Sequence, residues 1–107
     1  MSNTIAAREE AYHEALVLKD TAEIALDEAE KLYEFAKGKR VLSMGEEYPN
    51  ANQLYVRSKI AVEEGTPDTD LWKSARTRAR CRAAWLRMKT RVEQFKNMYW
   101  AALKTSV

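Results

Sequence analysis

Apolar positions in the first third of the chain recur every three or four residues. Ala11, Ala15, Leu18, Ala22, Ala25, Ala29, Leu32 and Ala36 alternate steps of four and three without a break, which is the seam of a coiled coil. Residues 4–37 contain no Pro or Gly and are rich in Ala, Leu, Glu and Lys. The pattern predicts one helix over about 4–37, capped at Asn3 or Thr4 and closed by Gly38 in the left-handed conformation. Alanine dominates this seam, so a partner helix can approach closely, and Tyr12, Leu26 and Tyr33 on the flank supply the bulk that alanine lacks.

Gly38, Gly45 and Pro49 mark residues 38–51 as a connector. Beyond it, Leu54, Val56, Ser58, Ile60 and Val62 alternate as a strand would, yet Val41 to Met44 is the only segment available to pair with them. A short helix over about 52–64 is the better reading. Gly65 then ends that helix, Thr66 caps the next, and Pro67 fits its first position, so a second long helix is expected over about 67–104.

Two apolar faces are expected on this last helix. Leu71, Trp72, Ala75, Ala79, Ala83 and Leu86 share one side. Cys81, Trp85, Met88, Val92, Phe95, Tyr99 and Ala102 form a second seam on roughly the other side, at about 100° per residue. Two seams imply two partners, one of which could be a second copy of the chain. The predicted fold is all-α: a long antiparallel, coiled-coil-like helical hairpin with a short middle helix, dimerising through Trp85, Met88, Val92, Phe95 and Tyr99 unless that seam is internal core.

Composition narrows this picture further. With 46% hydrophobic and 32% charged residues in a chain of 107, the sequence suits one folded domain. A single cysteine, Cys81, rules out an internal disulfide and is the usage expected in the cytoplasm. The opening residues carry no basic-then-apolar signal, and no apolar run is long enough to span a bilayer, so neither export nor a membrane is expected.

The net charge of +2 conceals a sorting of charges along the chain. Residues 1–36 hold nine acids against Arg8, Lys19 and Lys31, whereas residues 65–107 hold ten bases against Asp68, Asp70 and Glu93. In the last helix, Lys73, Arg76, Arg80, Arg87 and Arg91 fall within about 60° of one another. A second basic group, Arg78, Arg82, Lys89 and Lys96, lies on another face beside Trp85. The first stripe has three possible uses. It can pair with the acidic row Glu9, Asp20, Glu23, Asp27, Glu30 and Glu34 of the first helix. It can meet phosphates, with Trp72 or Trp85 stacking on bases. Or it can hold an acidic surface of another protein. A pI near 8.7 is low for a dedicated nucleic-acid-binding domain.

Candidate chemistry is thin. Glu10-x-x-His13 has the spacing of a carboxylate-bridged di-metal bundle, but both residues point away from the alanine seam. Ala61, Gly65 and Leu71 echo a helix-turn-helix, yet the helix that follows is too long for a recognition helix. One His and one Cys are too few for a zinc site or a Cys/His nucleophile, and glycine-rich phosphate loops and nucleophile elbows are lacking. No enzyme activity, metal or cofactor is expected. The sequence points to a non-enzymatic protein-protein interaction module of the adaptor, assembly or inhibitor type. Its contacts would come from Lys73, Arg76, Arg80, Arg87, Arg91 and Trp100. The alternative is a nucleic-acid-binding accessory protein using the same basic stripe.

Overall fold

A computed structural model describes residues 2–106, with side chains from residue 4 onward. It contains three helices, α1 (Ser2–Glu47), α2 (Gln53–Glu64) and α3 (Asp70–Thr105), and no strand among the described residues. Among those residues no helix is long and apolar enough to cross a membrane.

The first helix starts earlier and ends later than its sequence pattern suggests. Thr4 lies inside α1 and does not cap it, and the side chain of Asn3 falls outside the described residues. At the other end, Gly38 and Gly45 are both helical, and neither adopts a positive φ. A helical glycine costs roughly 1 kcal/mol relative to alanine. Tertiary contacts just beyond Gly38 offset that cost. Arg40 Nε donates to both carboxylate oxygens of Glu63 on α2, at 2.9 and 2.8 Å. Its Nη1 donates to Glu47 at 2.9 Å and to Ser43 Oγ at 3.1 Å. One turn further, Met44 is only 1% exposed. The connector therefore shrinks to residues 48–52, a tight turn in which Ala51 N donates to Tyr48 O at 3.1 Å.

α2 is helical, as the lack of a pairing strand predicted, and Val41 to Met44 belongs to α1. Asn52 caps it, its side-chain oxygen accepting from Tyr55 N at 2.8 Å. Gly65 ends it with φ −90 and not in the left-handed region. The cap of α3 is Thr69 and not Thr66. Thr69 Oγ1 accepts from Trp72 N at 3.1 Å and also donates to Glu63 O at 2.7 Å. One hydroxyl thus serves the start of α3 and the end of α2, while Thr66 turns back to Val62 O at 2.7 Å. Pro67 lies in the intervening turn, where Asp68 takes φ 73.

The chain groups into two compact units. The first joins the residues up to Leu26 with those from Cys81 onward; the second is Asp27–Arg80. The early half of α1 thus shares a unit with the late half of α3, and the late half of α1 with α2 and the early half of α3. This is the pairing of a helical hairpin.

In the first unit Ala15, Val92 and Ala102 are buried. Tyr12 stacks on Tyr99 with ring centroids 6.1 Å apart, and Arg8 Nη1 donates to Met98 O at 3.1 Å. In the second unit Tyr33, Met44, Ile60 and Leu71 form the core, flanked by Ala36, Val56 and Ala75. The Tyr33 hydroxyl donates to Glu64, and the Arg78 guanidinium lies 3.8 Å from the centre of the Tyr33 ring.

The expected seam of α1 is rotated. On α1, Ala15, Ala22, Ala29 and Ala36 do face inward, but their companions are Tyr12, Leu26 and Tyr33; Leu18 and Leu32 are 50% and 62% exposed. Alanine on one side of the seam leaves room that a large side chain fills better than another small one, so the aromatic flank turns in. On α3 a single seam replaces two. The row from Cys81 to Ala102 continues back through Arg78 and Ala75 to Leu71, while Ala79, Ala83 and Leu86 face solvent. Arg78 hid this continuity, because its charge marks a surface position although its stem and flat head pack on Tyr33.

Candidate interaction surface

The five residues of the basic stripe, Lys73, Arg76, Arg80, Arg87 and Arg91, are all exposed, and Trp100 is 52% exposed. Lys73, Arg76 and Arg80 belong to the second unit, where the structure brings them together around Trp72. With Thr77 they line a groove of 390 Å³. The Arg76 guanidinium lies 5.0 Å from the centre of the half-buried Trp72 ring. A planar cation held on an indole face keeps its outward N–H groups available in a fixed orientation, which lowers the entropy lost when they bind.

Arg87, Arg91 and Trp100 lie in the first unit. Trp100 is 6.4 Å from Tyr99 between ring centroids, so its ring packs beside that residue with one side in solvent. Trp85, Met88, Phe95 and Tyr99 are half-buried and Val92 is 7% exposed within the single chain. Lys89 Nζ lies 5.2 Å from the Trp85 ring centre, and Trp85 Nε1 is buried without a hydrogen-bond partner among the described residues.

Ion pairing follows a different scheme from the expected match between the acidic row and the basic stripe. Asp27 pairs with Lys31 in its own helix at 3.0 Å, and Arg40 takes Glu47 and Glu63. None of the ion pairs formed among the described residues involves the five bases of the stripe. The Arg40 guanidinium holds the Glu47 carboxyl below the usual range. Burial, followed by the hydrogen bond to the Glu64 carboxylate, pushes the Tyr33 hydroxyl up to about 12. Neither group lines the Trp72 groove.

His13 sits with Ala6, Glu9, Glu10, Glu14, Val17 and Leu18 around an open depression of 680 Å³. Every one of those residues comes from α1, so no second element closes over it to exclude water. Among the described residues no three or more His, Cys, Asp or Glu side chains are grouped to hold a metal ion.

Sequence reasoning placed the bases on the surface but missed two features. Periodicity puts Trp72 on an apolar face and also offers it as a stacking residue beside the basic stripe, but the contact with Arg76 is signalled only by their spacing of four, which places the two side chains side by side on a helix. Leu32 and Phe35, 62% and 71% exposed, also belong to the second unit's surface. The spacing alone places Leu32 in the seam, and only the side on which Tyr33 packs separates seam from surface. Compared with known proteins, the chain matches no family model, no curated protein and no solved structure.

Proposed function

We propose that the chain is a non-enzymatic interaction module that grips an acidic surface of another protein through the Trp72 groove. The observation that carries this reading is the exposed triad Lys73, Arg76 and Arg80 gathered round an indole on which one guanidinium is stacked. Arginine and tryptophan are the residue types that concentrate binding energy at protein interfaces, the first through paired hydrogen bonds to carboxylates and the second through area. Exposed apolar side chains in the same unit suit a protein partner better than a phosphate backbone. The partner's acids would neutralise a cluster that this chain leaves without ion pairs of its own.

For the seam of Trp85, Met88, Val92, Phe95 and Tyr99, half-buried or buried within the single chain, burial favours internal core over a dimer contact. A second copy is better received on another face.

Affinity capture from the native cell with the wild-type chain and with an Arg76→Glu/Arg80→Glu variant tests the reading. The expected result is a specific protein partner that the variant loses while retaining wild-type helix content. A wild-type chain that recovers nothing specific, or a partner indifferent to the reversal, refutes it. A nucleic-acid reading rests on the same groove, since an indole flanked by bases can stack on a nucleobase. It requires that fluorescence anisotropy detect binding to generic DNA or RNA at low salt, weakening as salt rises.

A further inference from the structure

α1 carries a second apolar row in the second unit, and it faces away from the core. Leu32, Phe35 and Leu42 are 62%, 71% and 76% exposed. Scattered surface leucines are ordinary, but large apolar side chains aligned on one helix are a contact surface awaiting a partner. Glu28, Leu32, Phe35, Lys39 and Leu42 are spaced four, three, four and three apart. They fall within about 80° of one another, opposite the buried Tyr33 and Met44. Glu28 and Lys39 are exposed and enter none of the ion pairs formed among the described residues.

We propose that this row joins two copies of the chain as an antiparallel, two-fold symmetric pair. The order of residue types along the row sets the register. With the two-fold axis passing between Tyr33 and Glu34, Leu32 meets Phe35 of the second copy and Glu28 meets Lys39 of the second copy. Symmetry repeats each contact, so apolar meets apolar twice and acid meets base twice. A parallel pair in register sets Glu28 against Glu28 and Lys39 against Lys39, which like charges disfavour. Beside the row, Ala29 and Ala36 are small, and with Leu32, Phe35, Lys39 and Lys73 they line a groove of 360 Å³ into which a leucine or phenylalanine of the second copy can settle. This groove adjoins the Trp72 groove, sharing Lys73 and Thr77 with it, but the pairing is set by side chains of α1 and does not depend on the stacking of Arg76 on Trp72.

Sedimentation equilibrium of the full chain tests the pairing, using wild type, Glu28→Lys, Lys39→Glu and the double variant. Circular dichroism verifies that helix content is equal, as these side chains are solvent-facing. The expected result is a wild-type dimer, at least about tenfold weaker association for each single reversal, and recovery in the double variant, where the opposite charges are restored with exchanged positions. The proposal is overturned by a wild-type monomer at the highest concentration reached, by single reversals that leave the dimer unchanged, or by a double variant that fails to recover. A wild-type dimer insensitive to these charges would place the contact on another face, and a monomer that nevertheless captures a foreign protein would leave the Trp72 reading standing alone.

Discussion

Individual side chains settle several local questions in this structure. Tyr33 is 5% exposed, donates to Glu64 and has its hydroxyl pushed up to about 12. Its neutral form is therefore favoured in the folded chain relative to the ordinary value of 10.0. The resulting stability is fully present below pH 10 and is lost as pH rises towards 12, where only the unfolded chain can readily release the proton. Over that window urea unfolding should accordingly show wild type losing up to about 3 kcal/mol of stability relative to Tyr33→Phe. Curves that stay parallel would contradict the assignment. At the turn before α3, Asp68 has φ 73, a region that costs an L-residue about 1–2 kcal/mol and glycine almost nothing. Asp68→Gly should raise the denaturation midpoint. Thr69→Ala removes the hydroxyl shared by two helix ends and should lower stability by about 1 kcal/mol.

At the scale of the elements, α1 spans two glycines that its sequence alone would use as a stop. A Cβ added at Gly38 or Gly45 meets nothing within 4 Å. Each alanine substitution should therefore stabilise the chain by roughly 0.5–1 kcal/mol, since helix propensity is gained without a clash, and thermal melts of the two variants and their combination would show it. The existence and type of the two long helices were legible from periodicity, whereas α2, whose apolar residues alternate as in a strand, was legible only from the lack of a strand to pair with, and its Asn52 cap only from the structure. The end of α1 was not, because Arg40 reaches Glu63 across 23 positions and Met44 packs on Ile60, contacts invisible to any local window. Nor was the inner face. Rows one residue apart both contained Ala15, Ala22, Ala29 and Ala36, and only the volume of Tyr12, Leu26 and Tyr33 against that of Leu18 and Leu32 distinguishes them. Of the candidate surface, the bases were readable from charge and spacing, while the stacking of Arg76 on Trp72 required knowing which of α3's supposed two seams exists.

For the molecule as a whole, each unit has its own small core, and substitutions should report on them separately. Val92 in the first unit is 7% exposed, so Val92→Glu buries an unpaired carboxylate and should destabilise the folded monomer itself. Hydrogen exchange should then speed up first among residues from Cys81 onward, whatever the oligomeric state. Met44→Ala, at a site 1% exposed in the second unit, should cost about 2–5 kcal/mol. Exchange that rises evenly throughout in both variants would contradict this picture of two cores. The alanine side of α1 also carries an evolutionary consequence. Ala15 and Ala29 are 3% and 4% exposed, and any gain of bulk there pries neighbouring backbones apart at a cost of about 1–3 kcal/mol. In a saturation library, positions that look interchangeable by hydrophobicity should thus divide sharply, with the smallest residues the least replaceable and an exposed leucine outside the pairing row, Leu18, freely exchanged for polar residues.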